Sequence, residues 1–239
     1  MPKFSSGARR RALGVLVLLP LSGEPARALP LPVEPGELPE IDSGEGHDEV
    51  MSTLAEQAID ALRDAGAVLT PGLTADELAR LEEQWEIVFS SDHAAFLKLA
   101  VPLGEGWVDW RGAAEPIAHL LAQPVDGLLH DVVHNDFWPA SWGAKATDQR
   151  LAVDVATEQL GRWPRLLPLY DHRYLPSGPL ASPSPVLSVV QSDVTYSGFT
   201  LMEWVQREFF GVSLPASPAK RPEIRAWTKL AEGCEDRDL

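Results

Sequence analysis

The order of periodic segments predicts an α+β chain, with a helical N-terminal lobe followed by a mainly antiparallel sheet flanked by helices, in a single domain over residues 51–211. Three observations carry this. Residues 51–99 hold three capped amphipathic helical stretches in succession. The β-branched and aromatic runs come only afterwards, with helical text between and behind them. That order favours α+β over a doubly wound sheet, and no glycine fingerprint for a dinucleotide or phosphate occurs.

In chain order, Thr53 and Glu56 make a capping-box pair ahead of Leu54, Ala58, Leu62 and Ala65, so a helix is expected to start near Met51 and to stop at Gly66. Ala67-Val68-Leu69 reads as a short strand, and Pro71-Gly72 turns the chain. A second capping box, Thr74 with Glu77, opens a helix that places Leu78, Leu81, Trp85 and Val88 on one face. Ser90 and Ser91 cap a third helix, which is expected to bury Phe96 and Leu99 and to end at Pro102. Gly104 and Gly106 introduce WVDWRG (107–112), a short strand by composition, and a short helix with Ile117, Leu120 and Leu121 follows.

Gly127 opens LLHDVVH (128–134), strand-like through its paired valines, which runs into a loop, NDFWPASWG (135–143). Residues 148–160 return to helical period around Ala152, Ala156 and Leu160, with Leu151 and Val155 beside them. RLLPLY (165–170) and PVLSVVQSDVTY (185–196) are the strongest strands, separated by the loop LPSGPLASPS (175–184). On the second strand Leu187, Val189, Gln191 and Asp193 alternate with Val186, Ser188, Val190 and Ser192, so Gln191 and Asp193 share a side. Thr200 and Glu203 cap a final helix with Leu201, Val205 and Phe209 on one face, ended by Gly211. Residues 212–239 read as a loose tail, Pro-rich and then charged, in which Ile224 and Trp227 are the residues able to dock.

Composition narrows function. With 239 residues, 45% hydrophobic and 23% charged, the chain can bury one sizeable core. A net charge of −15 and a pI of about 4.7 make nucleic-acid backbone a poor ligand and a basic protein a good one. Cys234 is the only cysteine, so neither an intramolecular disulfide nor a cysteine-built structural metal site is available. Residues 1–50 stand apart: ALGVLVLLPL (12–21) follows Arg9, Arg10 and Arg11 and precedes Ala26-Arg27-Ala28, like a secretory signal, yet falls short of the roughly 20 apolar residues that span a bilayer. A Pro-rich acidic spacer follows. This leader is either an export signal or an extension upstream of Met51, and the second reading, with a cytoplasmic protein and no membrane partner, is preferred because the lone free cysteine suits a reducing compartment.

Two sets of residues are candidates for function. His130-Asp131-Val132-Val133-His134 is close to the zinc-protease pattern, which needs both histidines on one helical turn with a carboxylate between them as general base. On the strand expected here, that geometry fails, and a metal-dependent hydrolase centred on His130, His134 and His172, with Asp171 beside it, is the alternative to histidines that hydrogen-bond at a sheet edge. No metal or cofactor is expected. No G-x-S-x-G elbow occurs, and Cys234 lies in the charged tail. The second set is the eight tryptophans, of which Trp107, Trp110, Trp138 and Trp142 sit in or beside Gly/Pro loops, where a ring either plugs the loop onto the core or lines a recognition surface. Should the leader direct export, a secreted glycan-binding module is a further reading.

Three blocks, LLHDVVHNDFWPASWG (128–143), LLPLYDHRYLP (166–176) and PVLSVVQSDVTYSG (185–198), resemble the signature segments of the SUKH superfamily, a group also named for a yeast regulator of cell-wall synthesis. The helical text at 73–99 is similar to its opening, so the resemblance covers about residues 52–211. It implies an α+β domain without enzymatic activity. Its bacterial members are immunity proteins that bind toxins, many of them nucleases with basic grooves, or regulatory and scaffolding proteins. On that reading the partner-binding surface comprises Trp107, Asp109, Trp110, Asn135, Asp136, Trp138, Trp142, Tyr170, Arg173, Tyr174, Gln191 and Asp193. The chain departs from the pattern at Asp171, where relatives carry Gly, at His130, where an aromatic is expected, and at Val190, Ser192 and Ser197, where bulkier residues are common.

Overall fold

Helices precede the sheet as predicted, and the departures fall where tertiary contacts override local sequence. The computed structural model describes residues 45–178, 183–213 and 224–232. Residues 1–44 of the leader, residues 179–182 of the predicted loop and Cys234 lie outside them, while residues 45–50, read as spacer, begin a helix.

Helix α1 (Glu45–Asp64) passes through Met51, so Thr53 and Glu56 lie inside it and do not start it. Ala55, Ala58, Ile59 and Leu62 form its buried stripe. Gly66 ends it at φ 82°, and the Ala67 N–H returns to the Leu62 carbonyl at 3.0 Å, a left-handed stop that glycine adopts without a Cβ penalty. Strand β1 (Val68–Pro71) pairs antiparallel with β2 (Ala100–Leu103). Between them lie α2 (Ala75–Trp85), with both halves of the Thr74–Glu77 capping box formed, and α3 (Ser91–Leu99), capped by Ser90. Two expectations need correction here. Pro102 stands within β2 opposite Leu69, and the buried partner of Phe96 is Leu97, while Leu99 is exposed.

WVDWRG is not a strand. Only Trp107 bridges the sheet, pairing with Tyr170, because Gly104 and Gly106 take positive φ and Asp109 then turns the chain by accepting from the Arg111 N–H at 3.1 Å.

The largest correction concerns residues 128–134. They are the last two turns of a 21-residue helix, α4 (Ala114–His134), which runs through both Pro124 and Gly127. Local propensity loses to burial: Ile117, Leu121, Leu128 and Val132 recur at helical spacing and are all buried. Pro124 cannot serve the Leu120 carbonyl four residues back, and the hydroxyl of Tyr174 stands 3.4 Å from that oxygen and 2.9 Å from Gln123 Oε1. Gly127 permits close approach, since a Cβ there would stand 3.0 Å from the Cα of Gln191.

After a 3-10 turn (Ala140–Trp142) and α5 (Gln149–Leu160) comes a four-stranded antiparallel meander, β3 (Leu166–Tyr170), β4 (Arg173–Pro176), β5 (Val186–Val190) and β6 (Asp193–Gly198), in that order. Residues 185–196 are therefore a hairpin and not one strand, and Gln191 sits in its turn at φ 58°, not on a strand face with Asp193. The matching turn between β3 and β4 holds Asp171 at φ 45°. These left-handed positions ordinarily favour Gly or Asn, so the text carries no standard turn signal.

The sheet packs on both faces, which explains the apolar text of β3 and of most of β5, while β6 alternates buried Val194 and Tyr196 with exposed Asp193 and Thr195. Leu167, Leu169, Leu175 and Val186 join α1, α3, the first half of α4 and α6 (Leu201–Phe210) in one core. Leu166, Tyr174, Leu187, Val189, Val194 and Tyr196 join the second half of α4, α5 and α7 (Arg225–Ala231) in the other. Helix α6 has its Thr200 cap and its Gly211 stop as predicted, although Glu203 reaches the Phe199 N–H rather than that of Thr200. In the region read as tail, Ile224, Trp227 and Leu230 are buried, and Trp227 Nε1 donates to the Pro164 carbonyl at 2.8 Å.

Candidate functional site

The fold sorts the predicted surface residues into two clusters and removes three of them to the interior. Trp110, Trp142 and Tyr174 are buried at 4%, 8% and 0% exposure and cannot meet a partner. Trp110 packs edge-on against Phe89 and His93, Trp142 against Phe137 and Trp138, and Tyr174 supports α4 as described. Trp110 and Trp142 thus plug their loops onto the core, whereas Tyr174 is a core residue of β4.

The first cluster gathers on the β3–β4 turn, the Gly106 loop and the end of α6. Trp107 meets Tyr170 edge-on with centroids 4.8 Å apart and stacks on Phe209 at 6.0 Å and 3°. All three residues are half-buried and their rings pack against that of Trp204, which is wholly buried. The Asp171 N–H donates to the Gly106 carbonyl at 2.7 Å, tying the two loops, and Gly106 has no room for a side chain because a Cβ would stand 2.7 Å from the Tyr170 ring. Burial pushes the Tyr170 phenol up, and the neighbouring Asp171, Glu208 and Glu105 carboxylates push it further. Arg173 does not offer a free charge: its guanidinium holds Glu208 through two bonds, at 3.0 and 3.3 Å, and reaches Ser188 Oγ at 3.3 Å. The net result is an aromatic patch with Glu105 and Asp171 exposed at its margin. Asp109 is exposed and occupied in its own turn.

The second cluster surrounds the C-terminal end of α4. Asp131 is buried and accepts from Ser192 N–H at 2.8 Å, Ser192 Oγ at 2.6 Å and Asn135 Nδ2 at 2.6 Å. Burial alone would push its carboxyl up, but these bonds outweigh burial and hold it below the usual carboxylate range. Lys145 Nζ donates to the Val132 carbonyl at 2.9 Å, a cation at the negative helix end, and stands 3.4 Å from Asp136 and 5.9 Å from the centre of the Trp138 ring. Trp138 Nε1 donates to the Gly143 carbonyl. Gln191 meets His130 across the hairpin turn at 3.1 Å, and Asp193 is exposed at the start of β6.

The histidines fall out differently from expectation. His130 and His134 do share one helical turn, with ring centroids 4.5 Å apart. His172 lies instead in the β3–β4 turn, where burial and then Arg173 push its imidazole down. Among the described residues no group of three or more His, Cys, Asp or Glu converges as a metal site. Sequence reading gave Asp131 as a general base and not as an anchor, and it missed Ser192, Lys145, Glu105, Glu208 and Phe209 as site residues because each draws its role from a residue remote in the chain. The sole advance signal was the pairing of Asp131 with two histidines.

These features define an α+β protein with two polar-aromatic surface clusters. Among the described residues no helix is long and apolar enough to cross a membrane. Compared with known protein families, curated proteins and solved structures, the chain matches none.

Proposed function

We propose that this chain is a non-enzymatic protein-binding domain, of the immunity or regulatory kind, that receives a basic surface of its partner. The observation that carries this reading is the Trp107–Tyr170–Phe209 patch bordered by Glu105 and Asp171. Half-buried rings held by a rigid neighbour lose little freedom on contact, and carboxylates at the margin steer a cationic partner. The net charge of −15 adds long-range attraction. The resemblance to SUKH domains points the same way, and the left-handed Asp171 at φ 45° fits a position where relatives carry glycine. A basic nuclease toxin is the partner that this reading favours.

The hydrolase alternative draws no support from Asp131, whose two oxygens are taken up by Ser192 and Asn135 and so do not face an attacking water.

The test is binding of the purified chain to a toxin domain encoded beside its gene. A complex whose association slows with salt, and whose affinity falls at least tenfold in a Glu105→Lys, Trp107→Ala double variant, is expected. Toxicity unchanged by co-expression of this protein would defeat the immunity form, and equal binding by the double variant would defeat the patch.

A further inference from the structure

We infer that His130 and His134 form a two-histidine site for a borderline divalent transition ion such as Zn²⁺ or Ni²⁺, at the junction between α4 and the β5–β6 turn. The pair occupies positions i and i+4 of a continuous helix, both rings are exposed, and their centroids stand 4.5 Å apart with planes inclined at 43°. Two nitrogens that bind one ion at about 2.0–2.1 Å must come within about 3.0–3.4 Å of each other. Rings at this spacing reach that separation by small side-chain rotations.

Gln191 Nε2 faces His130 Nδ1 at 3.1 Å, while Asp131 Oδ1, already bonded to Asn135, lies 3.6 Å from that nitrogen, too far for a hydrogen bond. Turning the Gln191 amide end for end lets its oxygen accept the Nδ1 proton and leaves the Nε2 lone pair for a metal, a bond of the kind that orients ligating imidazoles. Neutral imidazole favours Zn²⁺, Ni²⁺ and Cu²⁺ over Mg²⁺ and Ca²⁺, which take oxygen. Water completes the coordination shell. Since Gln191 belongs to the hairpin, an ion bound here tightens the junction that Asp131 and Ser192 already make.

The untagged full chain titrated with ZnCl₂, NiCl₂ and MgCl₂ by calorimetry tests this. One site for Zn²⁺ and Ni²⁺ and none for Mg²⁺ is expected, with affinity at least tenfold weaker in His130→Gln and in His134→Gln and unchanged in His119→Gln and His172→Gln. Both substituted rings are exposed, and unaltered circular dichroism verifies the fold. In NMR spectra, substoichiometric Cu²⁺ broadens amides at 130–134 and 190–193. Wild-type affinity in the His130 and His134 variants, broadening confined to other segments, or no transition-ion binding by the wild type would each overturn the site.

Discussion

Asp131, three residues before the end of α4, accepts both the backbone N–H and the hydroxyl of Ser192, 61 residues further on, at 2.8 and 2.6 Å. One buried carboxylate thus fixes the helix that sequence reads as strand to the turn that sequence reads as strand interior. Removing it leaves Ser192 and Asn135 unpartnered at the junction. Asp131→Ala is expected to lower stability by about 2–3 kcal/mol, and Ser192→Ala by about 1 kcal/mol, as read from urea midpoints at unchanged slope. The folded carboxyl is held low, so this stabilisation is present above its ordinary range near 3.8 and is lost as pH falls below it. Asp131→Asn should remove that acid sensitivity.

His93 is wholly buried against Phe89 and Trp110, and burial pushes its imidazole from 6.5 down to about 3. Below pH 6.5 the unfolded chain takes up a proton that the folded chain refuses. Stability is therefore complete above 6.5 and declines as pH falls toward 3, by about 2 kcal/mol between pH 7 and pH 5. Among the described residues neither ring nitrogen has a partner, so His93→Phe is expected to fold and to flatten the pH dependence over that interval in thermal melts.

Glu77 caps α2 and holds Arg111 through bonds of 2.8 and 3.0 Å, and these, with the Thr74 N–H, bring its carboxyl down to about 2. The link is exposed, so Arg111→Met should shift the titration of Glu77 upward in NMR, toward 4.5, with only a small change in melting temperature. Removing the cap has a clearer effect: Thr74→Ala is expected to cost about 1 kcal/mol.

Gly72 lies where a Cβ would stand 1.9 Å from the Lys98 carbonyl oxygen, a backbone atom that cannot yield. Gly72→Ala is expected to prevent the β1–α2 loop from packing on α3, giving insoluble or unfolded protein. Gly66→Ala, where nothing lies within 4 Å, pays only the left-handed φ and should remain folded, a contrast that solubility and circular dichroism measure directly.

Helix α7 closes the second core. Trp227→Ala deletes a ring with 1% exposure and is expected to cost about 3–5 kcal/mol. Unfolding followed by the fluorescence of Trp163, which meets Trp227 edge-on at 5.1 Å, checks this.

The sequence by itself determined the helix starts at Thr74, Ser90 and Thr200 and the stops at Gly66 and Gly211, because a cap is a contract between neighbours within a few residues. It also determined the α+β class and the burial of the apolar strands. Tertiary structure alone decided that LLHDVVH is helix: Val132 and Val133 favour strand locally, but Leu128 and Val132 bury in the second core, and Tyr174 stands beside the carbonyl that Pro124 leaves unserved. The hairpin turn at Gln191 and Ser192 likewise lacks Gly or Asn and depends on Asp131 for its anchor. The residues proposed to meet a partner were legible as types and not as places. Which tryptophan plugs and which one shows depends on what stands beneath it, and no spacing along the chain records that.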